Sequence, residues 1–185
     1  MARTITITGE MLIEAGTQIV LESGISALNI RSVAAKLNCS IQPIFRRFGN
    51  MDNLRAEILR SLDGVYGSFI AQFVDKENYL FTVSLAHIRL AEQQRNLFEA
   101  MFLTAEYGTR TVEQILSSSW NRETIECTAK QYGLSTEAAE DVYRDVRFYT
   151  FGIAREIYAG SIILHPGEAE KLLNGAVSAF TAQHL

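Results

Sequence analysis

The sequence predicts an all-α chain: an N-terminal three-helix head with a helix-turn-helix arrangement, joined by a long fourth helix to a helical C-terminal body. Three observations lead there. Apolar residues recur at steps of three and four along most of the chain, which is the spacing of one helix face. Only two prolines occur in 185 residues, so long helices can run uninterrupted. Hydrophobic residues at 48% against charged residues at 21% supply enough apolar material for a packed core and exclude a disordered chain.

The elements follow in order. Leu12, Ala15, Gly16, Ile19 and Val20 share one face of a first helix, with Thr8 as its N-cap and Gly24 after Ser23 as its stop. Asn29 caps a short second helix that carries Ile30, Val33, Ala34 and Leu37 on one side. Asn38 and Cys39 form a tight turn, and Ser40 is the predicted cap of a third helix ending at Phe48. Pro43 falls in the first turn of that helix, where its missing N–H has no intrahelical partner to lose. Gly49 and Asn50 break the chain again. The stripe Leu54, Ile58, Leu62, Val65, Phe69 and Phe73 then predicts the long fourth helix. Domain boundaries follow at 1–50 for the head and 51–185 for the body. Within the body, periodicity predicts helices over 79–93, 95–107, 110–119, 122–132, 136–160 and 168–183, with no internal repeat.

The net charge of −4 would repel a polyanion, but its distribution is uneven. Residues 1–60 hold seven Lys/Arg against five Asp/Glu, a net of +2, and the remainder holds ten against sixteen, a net of −6. No apolar run, Ala159–Leu164 included, reaches the roughly 18 residues of a membrane span, so no membrane partner is expected. Arg3 and the alternating Thr/Ile of Thr4–Thr8 do not form a secretory leader. Cys39 and Cys127 share no metal-type spacing, so a reduced, cytoplasmic setting is expected, with no cofactor and no metal. The chain has no glycine-rich phosphate loop, no His-Glu-x-x-His and no nucleophile elbow, and its histidines (His87, His165, His184) are far apart. An enzyme is therefore not predicted. The competing readings are a helical scaffold with a degenerate head and a helical enzyme without a motif.

In a helix-turn-helix the third helix enters the major groove. Ala34, Leu37, Ile44 and Phe48 form its underside. The opposite face presents Ile41, Gln42, Pro43, Arg46 and Arg47. Glutamine pairs with adenine, arginine with guanine or phosphate, and Ile41 and Pro43 suit thymine methyl groups. The alternative for Arg46 and Arg47 is a solvated face, and their place just after a Ser-capped turn favours DNA contact. Cys39 reads as a small residue filling the turn rather than a redox sensor.

With these residues in place, Leu12–Leu59 resembles the head of the tetracycline-repressor (TetR) family of transcriptional regulators. The likeness lies in the "ESG" that ends the first helix and in "LNIRSVAAKLNCSIQPIFRRFGNMDNLRAEIL". It is carried by Arg31-x-Val33-Ala34, Ser40 after the turn, the Ile44–Phe45 pair, Phe48 two residues after Arg46, and Leu54 opening the next helix. Three positions depart from the family pattern. Phe45 stands where a phosphate-binding tyrosine is usual, Met51 where lysine is common, and Pro43 where threonine or alanine is common.

The resemblance implies a ligand-responsive repressor that binds a pseudo-palindromic double-stranded DNA operator as a homodimer. Its DNA-contacting set on this chain is Asn29, Arg31, Ser40, Ile41, Gln42, Pro43, Phe45, Arg46 and Arg47. It also implies a small-molecule effector in the body, for which His87, Phe98, Phe102, Trp120 and Tyr149 are candidates. Ordinary core packing is the alternative for each. The last two long helices carry Val142, Val146, Tyr149, Ile153 and Ile157, then Leu172, Leu173, Val177 and Phe180. The resemblance makes them the dimer interface, with packing inside one chain as the alternative. The acidic residues Glu137, Glu140 and Asp141 read as complements to a helix N-terminus, with Glu140–Arg144 as an i,i+4 pair.

Overall fold

The computed structural model describes residues 6–185, so Arg3, Thr4 and Ile5 lie outside the described residues. Among those described there are ten α-helices and no strand. Packing divides the chain into two compact units. One comprises the chain up to Gly67 with Asn96–Tyr107, and the other Ser68–Arg95 with Gly108–Leu185.

The first unit begins with α1, Gly9–Ser23. The Met11 N–H donates to Thr8 Oγ1 at 3.2 Å, and the Gly24 N–H closes the far end on the Val20 carbonyl. Helix α2 spans Ile30–Lys36 and opens on a capping box. Asn29 Oδ1 accepts from the Arg31 and Ser32 N–H groups, and Ser32 Oγ accepts from the Asn29 N–H, each at 3.0 Å. Its far end is a Schellman turn. The Asn38 N–H reaches the Ala35 carbonyl and the Cys39 N–H the Ala34 carbonyl, both at 3.0 Å, which needs Asn38 in the left-handed region at φ 48°. Asparagine tolerates that conformation, so the sharp change of direction before α3, Gln42–Phe48, is local chemistry.

Helix α4, Met51–Ala71, supplies the floor of this unit. Asn50 Oδ1 accepts from the Asn53 N–H at 2.8 Å, and Asn53 Nδ2 donates to the Phe48 carbonyl at 2.7 Å, tying the start of α4 to the end of α3. Leu54, Ile58 and Leu62 are fully buried with Leu12, Val20, Val33 and Ile44. Burying each such side chain stabilises by roughly 1.5–3 kcal/mol. Gly16 lets α1 and α4 approach closely, since a Cβ there would lie 2.1 Å from Ile58 Cδ1 and force that side chain to move. Of the expected fourth-helix stripe, Val65 is half-buried and Phe73 lies in the turn beyond the helix.

The expected helix over 95–107 is shorter. Helix α6, Arg95–Phe98, runs into a π-helical turn over Glu99–Leu103, and Thr104 is extended. The following residues bond to the rest of the unit instead of continuing the helix. Arg55 Nη1 meets Glu106 Oε1 at 2.7 Å, Arg55 Nη2 donates to the Leu28 carbonyl at 3.2 Å, and the Tyr107 hydroxyl donates to the Leu59 carbonyl at 3.0 Å. Asn96 Nδ2 donates to the Leu21 carbonyl at 2.9 Å.

The second unit holds α5 (Tyr79–Gln93), α7 (Val112–Leu116), α8 (Ser119–Tyr132), α9 (Thr136–Ala159) and α10 (Glu168–Thr181). Its core gathers Leu80, Ile125, Ala139, Val142, Tyr143, Val146 and Val177. The expected helix over 110–119 contracts to α7, because the Thr111–Gln114 capping box fixes its start and α8 already begins at Ser119. Ser135 caps α9 as expected, its Oγ accepting from the Ala138 N–H, and Gly160 ends it at φ 75°. The expected Glu140–Arg144 pair is replaced. Arg144 bonds Asp141, one turn back on the helix, and, at 2.8 Å, its neighbour Asp145. No helix among the described residues is long and apolar enough to cross a membrane.

Candidate nucleic-acid interface

Helix α3 has a buried underside and an open face. Ile44 is fully buried and Ala34 is buried opposite it, while Leu37 and Phe48 are half-buried. This underside holds the helix so that Ser40, Ile41, Gln42, Phe45, Arg46 and Arg47 are exposed and Pro43 half-buried. Of the sequence-based set, the residues on and just before α3 are thus open on its outer side, and Ser40, Pro43, Arg46 and Arg47 lie together. A shallow hollow of about 320 Å³ opens beside it, lined by Thr6, Ile7, Cys39, Ser40, Pro43, Arg46 and Arg47. Thr6 and Ile7 carry no periodic signal, and sequence reasoning did not place them there.

Ser40 is not the cap of α3. Ile41 holds that position, with helical backbone angles (φ −72°, ψ −12°) and its carbonyl accepting from the Ile44 and Phe45 N–H groups. The reason is Pro43. A capping hydroxyl at position 40 would be satisfied chiefly by the N–H three residues on, and proline has none. Asn29 is exposed, but its side-chain oxygen is engaged in capping α2 and Nδ2 donates to the Ala27 carbonyl at 3.2 Å. It orients the start of α2 and with it the exposed Arg31.

The charges sort themselves. Among the described residues of the first unit, Lys36 pairs with Glu22 at 2.8 Å, Arg55 with Glu106 at 2.7 Å and Arg60 with Glu57 at 2.6 Å. The remaining cations, Arg31, Arg46 and Arg47, have no carboxylate within 4.0 Å, and all three are exposed on α2 and α3. Three uncompensated guanidinium groups on α2 and α3 make this unit's exposed face locally positive in a chain that is acidic overall.

The candidate effector residues fall in two places. Phe98 is fully buried in the first unit, 5.5 Å from the Phe102 ring, which meets Tyr66 edge-on at 5.6 Å. His87, Trp120 and Tyr149 belong to the second unit. His87 is buried, its Nδ1–H donates to the Val83 carbonyl at 2.8 Å, and its ring lies 5.1 Å from Phe151. Burial, and then the Arg147 charge, lower its pKa to about 4, so the imidazole is neutral. Trp120 is exposed on α8. Tyr149 lines a groove of about 610 Å³ between α9 and α10, with Leu172, Gly175, Ala179 and Phe180. The expected α9–α10 stripe thus splits. Val142, Val146, Ile157, Leu173 and Val177 are buried within the unit, whereas Tyr149 and Leu172 face outward along the groove. Among the described residues no cluster of His, Cys, Asp or Glu is arranged to hold a metal ion.

No family model matches the sequence, and no curated protein matches it. Solved structures do. A transcriptional regulator from Rhodococcus sp. Rha1 superposes at a TM-score of 0.55 with 17% identity, over 96% of this chain and 98% of that one. A TetR variant from Acinetobacter baumannii AYE, in complex with minocycline, matches at 0.59 with 17% identity over 96% of each chain. A TetR family protein from Vibrio parahaemolyticus matches at 0.60 with 18% identity, over 92% of this chain and 97% of that one. The chain shares the TetR fold along nearly its whole length.

Proposed function

We propose that this TetR-fold chain is a transcriptional regulator that binds duplex DNA through α3, as a homodimer, and is released by a small molecule held in its body. The observation that carries the reading is the trio of exposed arginines without carboxylate partners, Arg31 on α2 and Arg46 and Arg47 on α3. DNA offers one phosphate charge per about 1.7 Å of helix, and cations that neutralise it release counterions. Arg46 and Arg47 contact phosphate or guanine, and Gln42 reads adenine. The head comprises residues 1–50 in this reading, and residues 51–185 supply effector binding and dimerisation.

Dimerisation is supported by the apolar α9–α10 groove, whose rim carries both signs of charge in Glu168 and Lys171. Two heads roughly 34–36 Å apart would then face successive major-groove segments of a pseudo-palindromic operator. The effector part is supported by the minocycline complex of the Acinetobacter protein and by α4, which runs unbroken from the first unit into the second. A ligand releases DNA only if it binds the DNA-incompetent state more tightly. Repression follows if the operator overlaps a promoter, in the cytoplasm where such DNA lies.

The test is binding of the full chain to duplexes enriched from a randomised library, followed by fluorescence anisotropy between 50 and 200 mM salt. The reading predicts sequence-selective binding that weakens steeply with salt, because each phosphate contact contributes about one to the logarithmic slope. Failure to enrich any duplex, or affinity indifferent to salt, leaves the scaffold reading in its place.

A further inference from the structure

We infer that α3 reads the C5-methyl groups of thymine through an apolar ridge formed by Ile41 and Phe45. The inference rests on the proposed DNA binding and names what the bound sequence must contain. The two side chains lie one helical turn apart, and they are exposed by 42% and 48% although both are large and apolar. Ile44, between them in sequence, is fully buried, so the ridge is not a displaced part of the core. Phe45 has no hydroxyl and cannot donate to a phosphate, so its ring offers only apolar contact.

What surrounds the ridge decides what covers it. Gln42, Arg46 and Arg47 are exposed beside it, and neither arginine has a carboxylate partner among the described residues. An occupant must bring anionic groups for the arginines and apolar groups for the ridge within the width of one helix. The DNA major groove does both, because phosphates line its edges and the thymine methyl is the apolar group on its floor. Double-stranded RNA does neither well: its major groove is too deep and narrow for side chains to read. Uracil also lacks the methyl.

The experiment uses a duplex enriched by the full chain from a randomised library, resynthesised with deoxyuridine replacing thymine one position at a time. This removes a single methyl group and leaves every hydrogen-bonding atom in place. One or two positions per half-site are expected to lose about 3- to 10-fold in affinity each, the effect of one buried methyl. In Ile41→Ala and Phe45→Ala chains the thymine-to-deoxyuridine ratio at those positions falls to near one. Both side chains are exposed, so the variants fold. Equal binding of thymine and deoxyuridine duplexes at every position by the unmodified chain overturns the inference while leaving DNA binding intact. Variants that keep the full ratio overturn the assignment to these two residues. A library from which nothing is enriched removes the DNA reading itself.

Discussion

Two helical faces of this protein are left uncovered, and what rims them differs. The α3 face in the first unit is an apolar ridge beside Arg46 and Arg47, with no acid paired to either among the described residues. The α9–α10 face in the second unit is an apolar groove flanked by Glu168 and Lys171, one of each sign. A single sign of charge calls for a polyanion. Both signs on one face suit a second copy of the same surface, because a two-fold axis sets each patch against itself. Apolar exposure alone would have made the two faces look alike.

The sharpest break in that comparison comes from the groove. Leu172→Glu places a second carboxylate one turn from Glu168 in an apolar surface, and is expected to convert a dimer to a monomer by sedimentation while far-UV helicity persists. Operator affinity should fall by roughly a thousandfold or more, since one head contributes about half of the contacts. Operator binding at full strength by a monomer would show that the groove has another occupant.

The next effect belongs to the second unit alone. His87 has a folded pKa of about 4 against an ordinary 6.5, so the unfolded chain binds the extra proton between those values. Its contribution to stability is complete above pH 6.5 and is lost as pH falls towards 4, on the order of 3 kcal/mol in all. Urea midpoints against pH should show this decline, and His87→Phe should flatten it. In the first unit, Gly16→Ala drives a methyl into Ile58 and is expected to cost about 1–3 kcal/mol, read by thermal unfolding. Ile58→Val should recover part of that loss. The smallest effect is at the turn. Asn38→Gly relieves a positive φ and should change stability by only a few tenths of a kcal/mol either way, whereas Asn38→Val should cost about 1–2 kcal/mol in the same melts.

Most of the head was legible because its signals are local. Caps such as Thr8 and Asn29, the Asn38 turn and the Leu54–Ile58–Leu62 stripe each act within four residues of themselves. Ser40 was misread for an equally local reason: the proline three residues on has no N–H to give it. The body was harder, because its features depend on partners distant in sequence. Nothing near Glu99–Leu103 announces a π-turn, which belongs with contacts from Glu106 and Tyr107 to α4. The α9 stripe is broad enough to serve both the core and the outer groove, and periodicity alone does not divide Val146 from Tyr149. Aromatic content likewise grouped Phe98 with His87, which the fold separates into different units.

The central claim is that the arginines of α3 meet phosphate. The direct measurement is the salt dependence of operator affinity for the unmodified chain beside Arg46→Ala/Arg47→Ala. Loss of two contacts in each head of a dimer should lower the logarithmic slope by up to about four and weaken binding at every salt concentration, with the dimer intact. Superimposed slopes for the two chains would mean that these arginines face only water.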